Sequence, residues 1–201
     1  MNHAKTSIFF SSNTPTQIQE DIKGRFGAQV IKQHEKYLGL SSLVGKNKRS
    51  TFNKIKDKLR KKLIGWKEKL LSKAGKEILI KAVAQAIPTY SMGYFKLPDS
   101  LCEDLTSLIQ NFCWSQRQEE KKIAWLSWKK LCAPKASGRI GFKSLKEFNL
   151  AMLAKQGWRL QQRQNSLAYH MLKSKYFPHF DFSQAMLGNN PSFTWCSLMV
   201  A

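Results

Sequence analysis

The residues best suited to bind a charged partner are the lysines and arginines between Lys36 and Lys81. This stretch holds fifteen basic and three acidic residues, a net charge of +12 in a chain whose formal net charge is +21. Rows of lysine on a helix contact phosphate groups by charge and do not distinguish bases. A surface that only needs to stay soluble normally mixes both signs of charge. The pattern therefore favours sequence-independent binding of the nucleic-acid backbone, RNA or DNA.

Two other interpretations of the lysines stay open at this point. The first is a solvated lysine-rich helix face, and the second is a helix lying on an anionic membrane. The apolar residues between these lysines are better explained by packing against the protein core than by contact with a membrane. No apolar run approaches the roughly 20 residues that a transmembrane helix requires. The N-terminus also lacks an apolar stretch of signal-peptide length. We therefore expect no membrane partner and an intracellular protein, and the basic clusters KNKR and KLRKK indicate the nucleus.

Residues for catalysis are harder to find. Two-metal chemistry needs converging carboxylates, but the adjacent acidic pairs that begin at Glu20, Glu103 and Glu119 lie in polar or capped contexts. The four histidines have no partner at ligand spacing, and the four cysteines are widely and irregularly spaced. Such cysteines are typical of reduced thiols. The sequence predicts no catalytic residue, no metal, no cofactor and no small-molecule substrate for this chain.

The basic stretch lies on a predicted amphipathic helix. Its apolar residues recur every three or four positions, so they fall on one side of a helix. They are Phe52, Ile55, Leu59, Leu63, Trp66 and Leu70. The lysines on the opposite side are Lys54, Lys58, Lys61 and Lys69. This arrangement predicts an apolar face packed on the protein and a basic face turned outward.

Further helices follow along the chain. Ser72 is a helix start, and the helix is expected to carry Ile78, Leu79, Val83 and Ile87 and to continue to Pro88. The next predicted helix buries Leu101, Leu105, Leu108 and Phe112. Ser144 and Glu147 form a capping box that opens another helix, and Ser166 begins the last one. The fold is therefore mainly α.

The first 45 residues differ from the rest. Residues 5–10 are typical of a short strand, and a second extended segment ends at Gly39. Between them, Thr14 is a candidate N-cap and Pro15 suits the first helical position. The stretch predicts a small strand–helix–strand piece with little core of its own.

Five separated blocks occur in one order along almost the whole chain. They are NHAKTSIFFSSNTP, KYLGLSSLVGKNKRSTF, GWKEKLLSKAGKEILIKAVAQAIPTYSMGYFKLP, the segment from Lys122 to Phe142, and FNLAMLAKQGWRL. Together they resemble the reverse transcriptase polyprotein of plant non-LTR (LINE-type) retrotransposons. The resemblance is specific because all five blocks keep the family's order.

The resemblance implies a division of the chain into three parts. Residues 1–45 would be a strand–helix–strand remnant of the α+β palm, 46–115 the basic helical thumb, and 116–201 a helical connector with an aromatic-rich tail. The family's catalytic carboxylates would lie before residue 1, and its zinc-binding and ribonuclease H-like regions after residue 201. Arg139 stands where the family usually has a second glycine, so we expect strain in that turn.

The function implied is that of a non-catalytic fragment of a LINE-type reverse transcriptase, which holds the backbones of template and primer. The resemblance and the charge pattern together select ten candidate nucleic-acid-binding residues. They are Lys46, Lys48, Arg49, Lys54, Lys58, Lys61, Lys62, Lys69, Lys73 and Lys76. Two alternatives remain: one part of an active RNA-directed DNA polymerase whose palm lies upstream, or a domesticated helical module that binds proteins.

Overall fold

The computed structural model describes residues 7–8, 10, 13–27, 29–30, 48–67, 71–114 and 124–201. In these ranges the protein is mainly helical, as the sequence predicted. The α-helices are α1 (Thr16–Phe26), α2 (Lys48–Lys67), α3 (Lys73–Leu79), α4 (Thr89–Met92), α5 (Asp99–Trp114), α6 (Trp128–Cys132), α7 (Leu145–Gln162), α8 (Leu167–Tyr176) and α9 (Phe193–Met199). Short 3-10 turns lie at Lys135–Ser137 and Phe182–Gln184.

The chain divides into two compact units, Met1–Lys46 and Asn47–Ala201. In the first unit, the two-residue strands β1 (Ser7–Ile8) and β2 (Gln29–Val30) pair in parallel. Two such short segments do not establish a sheet derived from a palm, so that part of the fold stays a prediction. The predicted boundary near residue 115 falls at undescribed residues and also stays a prediction.

Helix α1 begins later than the sequence indicated. Its N-cap is Pro15 and not Thr14, and no side chain caps it; the Gln19 amide instead donates to the Thr14 carbonyl at 2.8 Å. Ile18 and Phe26 on this helix are half exposed. None of the residues of this helix is buried, and the expectation that the unit has little core of its own stays a prediction.

Helix α2 buries the predicted apolar stripe. Phe52, Leu59 and Leu63 are at most 4% exposed, and Ile55 and Trp66 are half-buried. Leu70, the last member of the predicted stripe, lies outside the described residues. The sequence spacing therefore gave the correct inner face of this helix.

The partner of α2 is mainly α5, and the two helices run in the same direction. Near the start of α2, Arg49 contacts Asp104, and near its end Trp66 packs on Phe112 with ring centroids 5.8 Å apart. Helix α5 presents Leu101, Leu105, Ile109 and Phe112, all fully buried. This pairing holds the basic helix in one orientation.

The predicted helix from Ser72 to Pro88 is interrupted. After α3 the chain makes a π-turn at Ile80–Ala84, where the Gln85 N–H donates to the Ile80 carbonyl at 2.9 Å. Lys76, Ile80 and Ala84 are buried, whereas Ile78 is 65% exposed. The first residue of this buried stripe is Lys76, and the spacing of apolar residues in the sequence could not have identified a lysine as buried.

Asn149 on α7 ties three segments together inside the core. Its side-chain amide donates to the carbonyls of Met92 and Phe95 at 2.9 and 3.0 Å, and its Oδ1 accepts from the Leu97 N–H at 2.8 Å. The residue is 2% exposed. Because buried polar groups are costly without partners, these bonds fix the loop between α4 and α5 onto α7.

The C-terminal residues form their own apolar cluster around Trp195. Phe177 and Trp195 are fully buried and their rings stack 5.8 Å apart, and Tyr176 stacks on Trp195 at 4.5 Å. Leu160 of α7 and Tyr169 of α8 complete the cluster. The aromatic-rich tail is thus a packed part of the helical unit.

The helix caps agree with the sequence at two of the four predicted positions, since Thr14 does not cap α1. Ser72 accepts from the Gly75 N–H, and Ser166 accepts from the Tyr169 N–H. Ser144 is the N-cap of α7, but its side chain makes no capping hydrogen bond, so the predicted capping box does not form. All three serines mark the residue before a helix.

The turn that contains Arg139 is unstrained at that residue. Positive φ angles fall on Gly138 and Gly141, at 69° and 72°, and Asn190 is the single described non-glycine residue with a positive φ. The expected strain at Arg139 is therefore absent, because glycines occupy the left-handed positions.

Among the described residues, no helix is both long and apolar enough to cross a bilayer.

Replacing Asn149 with aspartate should destabilise the protein by about 3 kcal/mol or more, because a carboxylate would face two buried carbonyls. Urea unfolding followed by circular dichroism measures this change. The control is Asn111→Asp at an exposed position of α5, which we expect to change stability by less than about 0.5 kcal/mol. Equal stability of the two variants would contradict the role assigned to Asn149.

Candidate nucleic-acid interface

Four lysines form the outer face of α2. At about 100° per residue, they lie within an arc of about 100° around the helix. They are Lys54, Lys58, Lys61 and Lys62, and all four are exposed. None of the four has an ion-pair partner within the described ranges. We call these four residues the α2 lysine face.

The helix as a whole is strongly basic. Its 20 residues include nine basic side chains and a single acidic one, Asp57, so its net charge is +8. Packing on α5 turns this charge outward, since the opposite side is occupied by Phe52, Leu59 and Leu63. Closely spaced cations on one face raise the local concentration of a polyanion.

Three other basic residues of α2 are held by contacts within the protein. Arg49 and Lys56 both bind the Asp104 carboxylate, at 2.9 and 2.8 Å. The Lys48 ammonium lies 4.6 Å from the centre of the Phe193 ring. These contacts anchor the start of α2, and the free charge lies further along the helix.

Asp104 is the acidic residue at the centre of that anchor. Hydrogen bonds from Lys56 and then Arg49 hold the pKa of its carboxyl below the ordinary value, against a smaller opposing effect of desolvation. The carboxylate thus stays charged through the neutral range. It neutralises part of the positive charge at the start of α2 and binds α2 to α5.

The structure places the other predicted residues differently. Lys73 is exposed on α3, whereas Lys76 is only 7% exposed and its ammonium lies 5.7 Å from the centre of the Phe112 ring. The prediction that Lys76 faces outward is therefore wrong, because it belongs to the buried stripe of α3. Lys46 and Lys69 lie outside the described residues.

Among the described side chains of α2, one exposed basic residue was left out of the predicted set. Arg60 is exposed on α2. The net charge of +8 on this helix was the signal that could have included Arg60.

The other side chains that could do chemistry are histidines, cysteines and carboxylates. Across these ranges, no group of three histidine, cysteine or acidic side chains is placed to hold a metal ion. The four cysteines are free thiols. Burial raises the pKa of the Cys102 thiol to about 11, so it stays protonated and unreactive at neutral pH.

Comparison with known proteins finds two informative relatives in Arabidopsis thaliana. An uncharacterized mitochondrial protein is 40% identical over 115 residues, which are 57% of this chain and 75% of that protein. A second protein, named "Putative ribonuclease H protein", is 39% identical over 128 residues, which are 64% of this chain and 21% of that protein. No protein-family profile matches the chain.

The Asp104 anchor should stabilise the protein in a pH-dependent way. Because its pKa is lowered by folding, its stabilising effect is present above the unfolded value of 3.8 and is lost as the pH falls through the folded pKa. Asp104→Asn should therefore lower the free energy of unfolding at pH 7 and have little effect at strongly acidic pH.

Urea unfolding at several pH values measures this dependence. The matched control is Glu103→Gln at the neighbouring exposed position, which we expect to have little effect at any pH. A loss of stability in Asp104→Asn that is independent of pH would rule out the charge-assisted anchor.

Proposed function

The chain belongs to the same family as the uncharacterized mitochondrial protein of Arabidopsis thaliana, and from that premise we propose that it binds the phosphate backbone of RNA or DNA through the α2 lysine face. Both relatives are consistent with a protein derived from a plant retroelement. The chain spans about a fifth of the second relative's length, so the activity of that longer protein is not transferred to this chain.

One observation carries the proposal: four exposed lysines without ion-pair partners in the described ranges lie on one side of a helix whose net charge is +8. A face meant only for solubility normally carries acidic and basic side chains in comparable numbers, whereas Asp57 is the single acidic side chain of α2 against nine basic ones. The arrangement instead suits successive phosphate groups, which are recognised by charge. The expected affinity is micromolar or weaker at physiological salt, as is usual for nonspecific binding.

The finer assignment comes from the sequence resemblance. In this proposal, residues 46–115 serve as the thumb of a LINE-type reverse transcriptase, residues 1–45 are a remnant of its palm, and residues 116–201 are the helical connector. The partner would be a template–primer duplex or a single strand, bound without sequence preference. No residue of the chain is assigned a catalytic role.

The length of the second relative favours a second candidate function. Because the matched stretch is 21% of that protein, the same surface could act within a larger polypeptide. We propose this larger protein to be an RNA-directed DNA polymerase whose catalytic palm lies upstream of these residues. Addition of nucleotides to a primer by the isolated chain would overturn the non-catalytic assignment.

The site of action in the cell is also a proposal. The basic clusters favour the nucleus, whereas one relative carries "mitochondrial" in its name. Imaging of a fluorescent fusion in plant cells distinguishes the two compartments. Signal confined to mitochondria would contradict the nuclear proposal.

Neutralising the α2 lysine face should weaken binding and reduce its dependence on salt. For the triple variant Lys58→Gln, Lys61→Gln and Lys62→Gln, the slope of log affinity against log salt should fall in magnitude by about 2–3, since each lost phosphate contact removes roughly 0.7–0.9. Fluorescence anisotropy with labelled duplex and single-stranded oligonucleotides measures both quantities.

A matched control removes three charges from another helix. Lys155, Arg159 and Arg163 lie at exposed positions on or just after α7, and their replacement by glutamine should leave the slope nearly unchanged. Equal losses of affinity and of slope in the two triple variants would show that the net charge of the protein, and not the α2 lysine face, determines binding.

A further inference from the structure

A groove of about 570 Å³ lies on the second compact unit, between α3, the end of α5 and residues 125–142. Its lining is mostly apolar and includes Trp125, Leu126, Leu131, Ile140 and Phe142. The size falls within the range of small-molecule sites in proteins. The α2 lysine face does not contribute to this groove.

Trp125 is the most unusual residue of the groove. Its side chain lines the groove and is nevertheless 80% exposed. An indole left in water at the edge of an apolar groove presents a broad flat surface to a ligand. Trp158 on α7 is also well exposed, at 62%, but does not line this groove.

The remaining walls of the groove are held in place by the fold. Phe142 stacks on Trp128, with ring centroids 5.1 Å apart and planes inclined by 16°. The N–H groups of Gly141 and Phe142 both donate to the Leu131 carbonyl, at 3.0 and 3.2 Å. A wall that is ordered before binding reduces the entropy lost when a ligand enters.

The charge around the groove identifies the class of ligand. Lys73 and Lys76 line the groove, and residues 124–143, which contribute one of its walls, contain five basic residues and no acidic one. Glu77, the acidic residue among those described in the lining, is bound by Lys81 at 2.6 Å and lies 3.6 Å from Lys135. These contacts hold the pKa of Glu77 below its ordinary value, chiefly through the Lys81 hydrogen bond. The surroundings thus favour a negatively charged ligand.

A ligand that is flat, apolar on its faces and attached to negative charge fits these features. We propose that the groove holds an unpaired nucleobase of a single-stranded nucleic acid, stacked on Trp125, with the adjoining phosphates near Lys73 and the basic residues of 124–143. Stacking on aromatic side chains tolerates every base. The groove shares its partner class with the proposed function but recognises bases, whereas the α2 lysine face recognises the backbone.

The test compares an oligothymidylate with an abasic oligomer of the same length, which carries the same charge without bases. By fluorescence anisotropy, the wild-type chain should bind the oligothymidylate about tenfold more tightly, as expected for one stacked base. In Trp125→Ala this preference should disappear while affinity for the abasic oligomer is unchanged. Trp125→Phe should restore part of the preference.

The controls separate this proposal from the function of the α2 lysine face. Trp158→Ala should keep the full preference, and the α2 triple variant should weaken binding of both oligomers by the same factor. Equal affinity of the wild-type chain for both oligomers would overturn the base site, even if the α2 variant behaves as expected. A preference for the oligothymidylate that persists in Trp125→Ala would also overturn the base site.

Discussion

The packing of α2 on α5 is the interaction on which the rest of the account depends. A helix with a net charge of +8 repels itself, and its charges favour an open chain. Burying Phe52, Leu59 and Leu63 opposes this repulsion, since each such side chain contributes roughly 1.5–3 kcal/mol when fully buried. The same packing decides which lysines face the solvent, so stability and the binding surface have one origin.

Two further contacts extend this arrangement through the second unit. Asn149 fixes the loop between α4 and α5 to α7 through three buried hydrogen bonds. On another side, Lys81 donates to the Ile140 carbonyl at 2.5 Å and connects the π-turn to the groove wall. The groove and the α2 lysine face are therefore built on one helical framework but differ in what they present: an indole face in one, and charge alone in the other.

The sequence predicted those features that depend on local spacing. The apolar stripe of α2 recurs at regular intervals, so its inner and outer faces followed directly. Ser72 and Ser166 were correct as caps because a capping hydrogen bond spans only three residues. Features set by contacts between distant parts of the chain were not predictable in this way. Lys76 is buried against Phe112, and Glu77 on the groove forms an ion pair with Lys135.

The most direct test of the central claim is the salt dependence of nucleic-acid affinity for the wild-type chain, measured on two duplexes of unrelated sequence. The account predicts that log affinity falls linearly with log salt, with a slope that corresponds to several phosphate contacts and is equal for both sequences. An affinity that is unchanged between low and physiological salt would contradict binding through the α2 lysine face.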